Sequence, residues 1–371
     1  MNGKDFFFSG GGTGGHIYPA VAVAERIIEL EPEAKIHFFC STRSIDSQIL
    51  AKTDFKYTQL PAKGFSIKPN KLISFCTSFL RSCRISKQAL NEAGNAMVIG
   101  IGGFVAAPVC WTAHKLKVPI ALLNVDIVPG RANKIIAHWA DKIFVQFKDT
   151  KQYFGKRAAK VNAVGCPLRS RFDNPQPDNA RSELGLDKSK KILLITGASS
   201  GSANINEAVC SLLDKLGTFA DNWQVVHLAG ADNYKKVERK YADAKIGHKV
   251  LSYYDDMANL LSAADLVLGR SGAVSVAEYA AAGVPSICMP YPYHRDRHQY
   301  LNAGKLVDAG AAIIVDDLPD AKERAQWLAE ELEELMKDDK KREEMKKNCA
   351  VVANKEAASK IAEKLLEIHK S

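Results

Sequence analysis

Two stretches of the chain share one plan: a short apolar run, a turn rich in small residues, and a run long enough for a helix. In the first, Asp5–Ser9 precedes Gly10-Gly11-Gly12-Thr13-Gly14-Gly15-His16. In the second, Lys191–Thr196 precedes Gly197-Ala198-Ser199-Ser200-Gly201. Glycine lets a chain turn tightly directly after a strand. The repeated plan predicts two parallel sheets, each covered by helices on both faces.

The rest of the sequence continues this alternation after each of the two stretches. Apolar runs predict strands at Asp5–Ser9, Lys35–Cys40, Ala96–Ile101, Pro119–Asn124, Lys142–Gln146, Lys191–Thr196, Trp223–Ala229, Lys249–Leu251, Leu266–Leu268 and Pro285–Pro290. Helices are predicted from about Tyr18 to Leu30 and near Ala106–Lys115. From Asp320 onward, apolar residues recur at helical spacing in a highly charged tail, which predicts amphipathic helices at the end of the chain.

A polar stretch interrupts the alternation near the middle of the chain. It contains Pro167, Pro175 and Pro177, which predict a linker or an extended loop. The 371 residues suffice for two domains of roughly 150 residues or more. We therefore expect an α/β protein with two doubly wound Rossmann-like domains, at residues 1–164 and 165–371, with the last helix able to return to the first domain.

Composition narrows the function classes. The chain is 46% hydrophobic and 25% charged, which excludes a disordered or fibrous protein. Its net charge of +9 comes from residues 1–164, which hold 22 basic and 11 acidic side chains. This excess predicts an anionic partner: nucleic acid, a phosphorylated substrate or an acidic membrane face. Eight cysteines without C-x-x-C spacing predict reduced thiols in a cytosolic protein.

Two apolar stretches could be mistaken for targeting or membrane segments. The glycine run from Gly10 leaves no room for the apolar core of a signal peptide, so none is expected. Residues 94–113 carry no charge, but their glycines and Pro108 fit a strand, a turn and a helix better than a transmembrane span.

The first glycine turn formally matches the G-x-G-x-x-G pattern of dinucleotide-binding domains. That class requires an acidic residue at the end of the second strand, where this chain has Cys40-Ser41-Thr42-Arg43. The lysine of a phosphate-binding P-loop is also missing. His16 stands where a helix dipole lowers the pKa of an imidazole, so it could remove a proton from a hydroxyl group. The alternative is a histidine that only caps the helix or lines the turn.

Further turns of small residues follow other predicted strands. Gly102-Gly103-Phe104 and the turn containing Ser199 predict a ligand-binding rim at the carboxyl edges of both sheets. The alternative is close packing of helix on strand. Residues 269–278 form another turn and helix, in which Glu278 could accept two hydrogen bonds from a ribose diol or be a plain surface residue. The polar segment 290–303 is too rich in hydrogen-bonding groups to be core.

Taken together, these elements resemble the inverting glycosyltransferases with two Rossmann-like domains that face a cleft (the GT-B type). Within that family, the sequence is most similar to the N-acetylglucosaminyltransferases of peptidoglycan synthesis. The combination of GGTGGH near the start with RSGA-x-x-x-x-E ending at Glu278 is specific. The resemblance covers nearly the whole chain through Gly10–Pro19, Gly100–Pro108, Gly165–Arg169, Gly197–Asn206, Asp255–Met257, Arg270–Pro285 and Asp296–Ala303.

The resemblance implies roles for individual residues. His16 would help to deprotonate the acceptor hydroxyl. Arg169 and Ser199 would lie near the donor diphosphate, Glu278 would bind the ribose, and Gln299 would read the sugar hydroxyls. The full set implied to bind substrate is Thr13, Gly14, Gly15, Asp126, Arg169, Ser199, Tyr254, Ala273, Val274, Ser275, Val276, Ala277, Glu278 and Gln299. Tyr254 would contact uracil through its backbone.

Several positions depart from the family pattern. Asp126 replaces an asparagine that contacts the donor sugar, and an aspartate lacks the amide donors. Phe104 replaces a tyrosine, Ala198 a glycine, and His298 the first glutamine of a pair. These differences leave open whether the chain belongs to a divergent subgroup or is a relative that uses another acceptor.

The resemblance implies transfer of N-acetylglucosamine from UDP-N-acetylglucosamine to the C4 hydroxyl of undecaprenyl-diphospho-N-acetylmuramyl-pentapeptide, which converts lipid I into lipid II. The alternatives are transfer to another lipid or small molecule, and a nucleotide-binding protein without transferase activity. No cofactor or essential metal is expected, because no D-x-D element stands at a matching position. Asp255-Asp256 is expected to cap the following helix instead.

A lipid acceptor requires contact with a membrane. Residues 52–87 hold eight basic side chains and one acidic residue, Asp54. Apolar and basic residues interleave there, which suits a segment lying on an anionic bilayer. The residues concerned are Leu72, Ile73, Phe75, Phe79, Leu80, Lys68, Lys71, Arg81 and Arg84. We expect a peripheral protein on the anionic inner face of the cytoplasmic membrane; the alternative is an ordinary amphipathic helix packed on the first sheet. Nucleic acid is not expected, since no binding motif is present.

Overall fold

The computed structural model describes residues 4–64, 68–198 and 201–369, without the side chains of 69–71. Its contacts divide the chain into two units. The first contains residues 1–169 and 356–371, and the second contains residues 170–355. The division falls shortly after residue 164 and gives the last helix to the first unit. Both units are α/β, which confirms the fold class predicted from the repeated strand–turn–helix plan.

The first unit is built on a parallel sheet in the order β3-β2-β1-β4-β5-β6-β7. Its strands are β1 (Asp5–Ser9), β2 (Lys35–Ser41), β3 (Lys56–Leu60), β4 (Ala96–Gly100), β5 (Ile120–Asn124), β6 (Lys142–Val145) and β7 (Val161–Ala163). Its α-helices are α1 (Gly14–Leu30), α2 (Ser44–Leu50), α3 (Pro69–Glu92), α4 (Gly103–Lys115), α5 (Arg131–Ile136) and α15 (Ala357–Ile368), and a kinked 3₁₀ segment spans Lys148–Lys160.

Phenylalanines of β1 fill the core on both faces of this sheet. Phe8 stacks on Phe38 of β2 at 5.1 Å between ring centroids. Phe7, on the opposite face, stacks on Phe39 at 5.8 Å. A strand buried on both faces has to be apolar at every position, which explains the continuous phenylalanine run. Helix α15 packs on α1, so the end of the chain completes the helical cover of the first unit.

The second unit has a parallel sheet in the order β10-β9-β8-β11-β12-β13, the Rossmann order of two half-sheets that diverge from the first strand. Its strands are β8 (Lys191–Thr196), β9 (Trp223–Leu228), β10 (Gly247–Leu251), β11 (Leu266–Gly269), β12 (Ser286–Cys288) and β13 (Ala312–Ile314). Its α-helices are α6 (Pro177–Glu183), α7 (Ala203–Ser211), α8 (Leu213–Gly217), α9 (Tyr234–Tyr241), α10 (Met257–Ala263), α11 (Ala273–Ala282), α12 (His298–Asp308), α13 (Ala321–Lys337) and α14 (Asp339–Val352), with a 3₁₀ turn at Ser170–Phe172.

The described residues test several of the predictions made from the sequence. The uncharged stretch at 94–113 forms strand β4 and helix α4, as predicted. Within the described ranges, no helix is long and apolar enough to span a bilayer. All eight cysteines are described, and none is in a disulfide. The proline-rich stretch is more structured than a linker, because Pro177 begins helix α6 in the first-turn position that suits proline.

Candidate active site

The loops after β1 and β4 meet at the carboxyl edge of the first sheet. Strands β2 and β3 lie on one side of β1, and β4 lies on the other. The carboxyl ends of β1 and β4 therefore form the switch point at which open α/β sheets bind ligands. The two loops touch: a Cβ on Gly103 would lie 2.9 Å from the carbonyl oxygen of Gly11. Gly103 has a φ of +74° and Gly12 a φ of +94°, conformations that favour glycine. Glycine here allows both the turn and the close approach.

Asp46, which the sequence analysis did not single out, holds the first glycine turn in place. Its buried carboxylate accepts hydrogen bonds from the Gly12 amide at 2.9 Å and from the Ser41 amide and hydroxyl at 3.0 and 2.6 Å. A Cβ on Gly11 would lie 2.2 Å from Asp46 Oδ2. The carboxylate therefore occupies the space that the glycines leave, and it fixes the path of the turn.

His16 lies in the first turn of α1, half-buried at this edge. Its Nδ1 is 3.1 Å from the hydroxyl of Thr13. The pKa of His16 is lowered below its ordinary value of 6.5, chiefly because burial disfavours the charged imidazolium, although Asp126 and Asp46 act in the opposite direction. The sequence analysis predicted this direction from the helix dipole, whereas burial is the main cause in the structure. A neutral imidazole at neutral pH can accept a proton.

The loop after β5 lies next to the same edge. The side-chain amide of Asn124 donates to the carbonyl oxygen of Asp126 at 2.7 Å, and Asn133 donates to Asn124 at 2.8 Å. Oδ1 of Asn133 is buried without a hydrogen-bond partner among the described residues. A Cβ on Gly102 would lie 2.9 Å from that oxygen. The half-buried Asp126 is thus brought to the same edge as His16, and Asn133 is a further residue that the sequence did not reveal.

The other predicted residues of the first unit differ in exposure. Thr13 and Gly15 are exposed, and Gly14 is buried. The guanidinium of Arg169 lies 4.4 Å from the ring centroid of Tyr18 on α1, a cation–π contact that positions this half-buried side chain at the end of the first unit. The first unit therefore brings together Thr13, Gly14, Gly15, His16 and Asp126, with Arg169 held against α1.

The second unit has its own switch point, between β8 and β11. Ser199 of the turn after β8 lies outside the described residues. After β11, Gly272 is the N-cap of α11 and supplies no side-chain cap. A Cβ on Gly272 would meet nothing within 4 Å, so there is open space above the start of the helix. The N-terminus of α11 therefore has the geometry of an anion-binding helix end.

Arg270 anchors the turn between β11 and α11. This buried side chain donates to the carbonyl oxygen of Met289 at 2.9 Å, to the Ser202 hydroxyl at 2.7 Å and to Asp317 at 2.7 Å. Asp317 is buried as well, so the ion pair links the loops after β11 and β13, while the bonds to Ser202 and Met289 tie in the loops after β8 and β12. The arginine of the RSGA motif is thus committed to the structure of the turn.

The predicted donor residues lie around this turn. Ala273, Val274, Ser275, Val276, Ala277 and Glu278 form the first half of α11, and Glu278 is half-buried. Gln299 lies in the first turn of α12; its Oε1 accepts from the Tyr291 amide at 2.9 Å, and its backbone carbonyl accepts from the Ser271 hydroxyl at 3.0 Å. These contacts bring Gln299 next to the α11 turn.

Tyr254 lies farther along the same sheet edge, after β10. Its side chain is buried, and its hydroxyl donates to Glu183 at 2.7 Å. Burial, together with that carboxylate, raises the pKa of Tyr254. The hydroxyl of Tyr254 is therefore engaged within the second unit, and the backbone contact with uracil that the resemblance implies stays a prediction. Asp256 is the N-cap of α10 and accepts from the Asn259 amide, which confirms the predicted capping role.

Comparison with protein-family models agrees with this architecture. Residues 6–145 match the N-terminal domain of glycosyltransferase family 28, and residues 192–365 match the C-terminal domain of the same family. Together the two matches cover most of the chain. The chain therefore belongs to glycosyltransferase family 28.

Individual relatives show which members of the family the chain is similar to. The chain is 32% identical over 370 residues to the UDP-N-acetylglucosamine–N-acetylmuramyl-(pentapeptide) pyrophosphoryl-undecaprenol N-acetylglucosamine transferase of Acetivibrio thermocellus, covering 98% of both chains. Among solved structures, MurG of Acinetobacter baumannii matches with a TM-score of 0.70 and 24% identity over 98% of this chain and 99% of that one.

The same fold also serves a different reaction. The UDP-GlcNAc 2-epimerase of Neisseria meningitidis, solved bound to UDP-GlcNAc, matches with a TM-score of 0.68 over 98% of this chain and 100% of that one. Its sequence identity is only 15%, so this likeness concerns the fold alone.

Proposed function

We propose that this chain transfers N-acetylglucosamine from UDP-N-acetylglucosamine to the C4 hydroxyl of undecaprenyl-diphospho-N-acetylmuramyl-pentapeptide, with inversion at the anomeric carbon. The product is lipid II of peptidoglycan synthesis. The observation that carries this proposal is the full-length similarity to the Acetivibrio thermocellus transferase. The glycine turns at both switch points support it, because each lies at the edge where such sheets bind ligands.

The second unit binds the donor in this proposal. The N-terminus of α11 faces the diphosphate, since its backbone N–H groups and helix dipole favour negative charge. Glu278 accepts hydrogen bonds from the ribose, and Gln299 reads the sugar hydroxyls. Tyr254 contacts uracil through its backbone, and Ser199 adds a hydroxyl near the phosphates.

The first unit supplies the base. With Nδ1 of His16 bonded to the Thr13 hydroxyl, Nε2 is the nitrogen that takes the proton from the acceptor hydroxyl. The new C–O bond forms as the bond from the anomeric carbon to UDP breaks, and the developing charge moves onto the phosphates. Arg169 and the α11 N–H groups stabilise that charge. These donors carry out the chemistry without a cofactor or an essential metal in this proposal.

A binding experiment distinguishes this proposal from the nucleotide-binding alternatives. Calorimetry of the full chain with UDP, UDP-N-acetylglucosamine and NADH should show binding of the first two ligands only. Binding of NADH without a response to UDP would overturn the assignment of the donor site.

Replacing Glu278 by Ala should weaken UDP-N-acetylglucosamine binding by roughly 1–3 kcal/mol, because buried hydrogen bonds to the ribose are lost. The matched control is Glu343→Ala on α14, an exposed glutamate that should leave the affinity unchanged. Titration calorimetry measures both. Equal donor affinity in Glu278→Ala and wild type would remove this residue from the ribose site.

The basic segment supports a further part of the proposal, peripheral docking on the anionic inner face of the cytoplasmic membrane. Helix α3 packs on α4 with Ser78, Ser82 and Ser86 buried, and Ser86 bonds Thr112 at 3.2 Å; its C-terminal half also places Ile85, Ala89 and Leu90 in the apolar core of the first unit. Its solvent side instead exposes Ile73 and Leu80, 67% and 68% exposed. An ordinary surface helix keeps such large apolar side chains on its buried face.

The remaining residues of the segment surround this exposed apolar side. Leu72 is also exposed, and Phe75 and Phe79 are half-buried with their rings 5.9 Å apart. Exposed cations border them at Lys68, Arg81, Arg84 and Lys87; the side chain of Lys71 lies outside the described part. Apolar side chains ringed by cations favour anionic lipid.

Replacing both Ile73 and Leu80 by Ser should strongly reduce sedimentation with vesicles that contain anionic lipid, because the exposed apolar contact is lost. Transfer to a water-soluble acceptor analogue should stay at the wild-type rate. Val351→Ser is the matched control, since Val351 is 76% exposed on α14 of the second unit. Undiminished vesicle binding by the double variant would place the docking surface elsewhere.

A further inference from the structure

Two imidazoles and a carboxylate converge on the loop between β12 and α12. His294, Asp296 and His298 each offer one ligand atom, and these atoms all lie within 4.8 Å of one another. Nδ1 of His298 is 2.7 Å from Oδ1 of Asp296, and the rings of His294 and His298 are 4.4 Å apart between centroids. The reaction proposed above uses none of these three side chains.

We propose that this cluster binds a divalent cation of the zinc type. Imidazole nitrogen and carboxylate oxygen are the donors that zinc prefers outside cysteine sites, and three protein ligands leave a fourth position for water. A tetrahedral ion with bonds of about 2.0–2.1 Å places its ligand atoms about 3.3 Å apart. Binding therefore requires the widest separation to shrink by up to about 1.5 Å and the 2.7 Å contact between His298 and Asp296 to open to about 3.3 Å. The loop can do so, because His294 and Asp296 are exposed and His298 is only half-buried.

The surroundings of the cluster are compatible with a bound cation. Two arginines alternate with the three ligands in the sequence, and their positive charge would oppose a bound cation. The guanidinium of Arg297, however, lies over the ring of Tyr300 at 4.3 Å from its centroid, in a cation–π contact. The ring of His294 is held by an edge contact with Tyr291 at 4.9 Å. The cluster has only one carboxylate, and the cationic side chain of Arg295 lies beside it in the sequence. We therefore expect zinc to bind with micromolar rather than nanomolar affinity.

An ion bound at this cluster would affect the loop beside the proposed donor site. The backbone N–H of Tyr291 donates to the side chain of Gln299, so the loop that carries the cluster also holds the residue proposed to read the donor sugar. A bound ion would fix this loop beside the donor site without entering the chemistry. The inference itself concerns metal binding and stands independently of the reaction proposed for this chain.

Calorimetric titration of the metal-stripped full chain with zinc chloride tests the proposal. Wild type should bind zinc at a site that His298→Gln weakens by about tenfold or more, because glutamine keeps a polar side chain but removes one ligand. The exposed thiol of Cys76 is present in both proteins, so it cannot produce a difference between them. His138→Gln is the matched control. This exposed histidine hydrogen-bonds carbonyl oxygens of its own helix region, at Lys134 and Ile135, and its replacement should leave zinc binding intact.

A second variant tests whether the loss of zinc binding comes from the missing ligand or from a local disturbance that the glutamine causes. Asp296→Asn should weaken zinc binding as well. Because asparagine keeps an oxygen that can accept from the His298 backbone N–H, the thermal midpoint without zinc should stay close to the wild-type value. Equal zinc affinity in wild type, His298→Gln and Asp296→Asn would overturn the proposal, as would a wild type that binds no zinc.

Discussion

Replacing His16 by Ala is expected to lower kcat by about 10²–10⁴-fold while the affinity for UDP stays nearly unchanged. The imidazole lies at the switch point of the first sheet, with Nδ1 bonded to Thr13 and Nε2 left for the acceptor proton. The nucleotide is bound by the second unit in this account, so removal of the base affects the chemical step and not donor binding. Steady-state kinetics and UDP calorimetry on the same preparation measure the two effects.

The control for this experiment is His138→Ala, an exposed histidine of the first unit that should leave both quantities unchanged. A rate in His16→Ala equal to wild type would remove this side chain from catalysis. A parallel loss of UDP affinity would instead show that His16 acts in binding.

The pH dependence of kcat/KM gives a second readout for the same residue. Burial lowers the pKa of His16 below its ordinary value of 6.5, so the neutral form that accepts a proton persists below pH 6.5. The rate should stay level as pH falls to 6.5 and decline only at lower pH, when the imidazole becomes protonated. A decline centred above pH 6.5, or the same decline in His16→Ala, would contradict this assignment.

Replacing Asp46 by Ala should cost roughly 2–4 kcal/mol of stability and also lower kcat. The change leaves the Gly12 amide and both donors of Ser41 without their acceptor, in a place that water does not reach. It also opens a cavity beneath the glycine turn that orients His16. The thermal midpoint should fall by several degrees.

Asp54→Ala is the matched control for this substitution, because Asp54 is exposed and lies just beyond the same helix, α2. Its thermal midpoint and rate should equal those of wild type. If Asp46→Ala unfolded at the wild-type temperature, the carboxylate would not be what holds the turn.

Continuous apolar runs revealed most strands of both sheets, because strands buried on two faces have no polar positions. Of the strands that the sequence analysis missed, two lack such runs: β3 reads Lys-Tyr-Thr-Gln-Leu and is mostly exposed at the sheet edge, and β7 has only three residues at the other edge. The third, β13, is equally short and lies within the apolar run Ala311–Val315, which the sequence analysis did not assign to a strand. An edge strand takes its conformation from its neighbour through backbone hydrogen bonds, which side-chain patterns do not report.

The candidate site was predictable where a glycine turn follows a strand, since only a few residues are needed to form it. Asp46 and Asn133 were not predictable, because each reaches the site from another element across the sheet edge. No local pattern marks a carboxylate that accepts hydrogen bonds from a turn 34 residues earlier in the chain. Arg270 shows the converse: its motif suggests a ligand contact, yet its side chain is committed to Asp317.

The most direct test of the proposed reaction is the identity of the product formed from UDP-N-acetylglucosamine in the presence of a lipid-linked N-acetylmuramyl-pentapeptide. Proton NMR of the purified product should show a new β-linkage from N-acetylglucosamine to C4 of the muramyl sugar, together with free UDP. Recovery of the acceptor unchanged while the UDP-sugar is epimerised at C2, or transfer to a soluble sugar in preference to the muramyl lipid, would contradict the proposal.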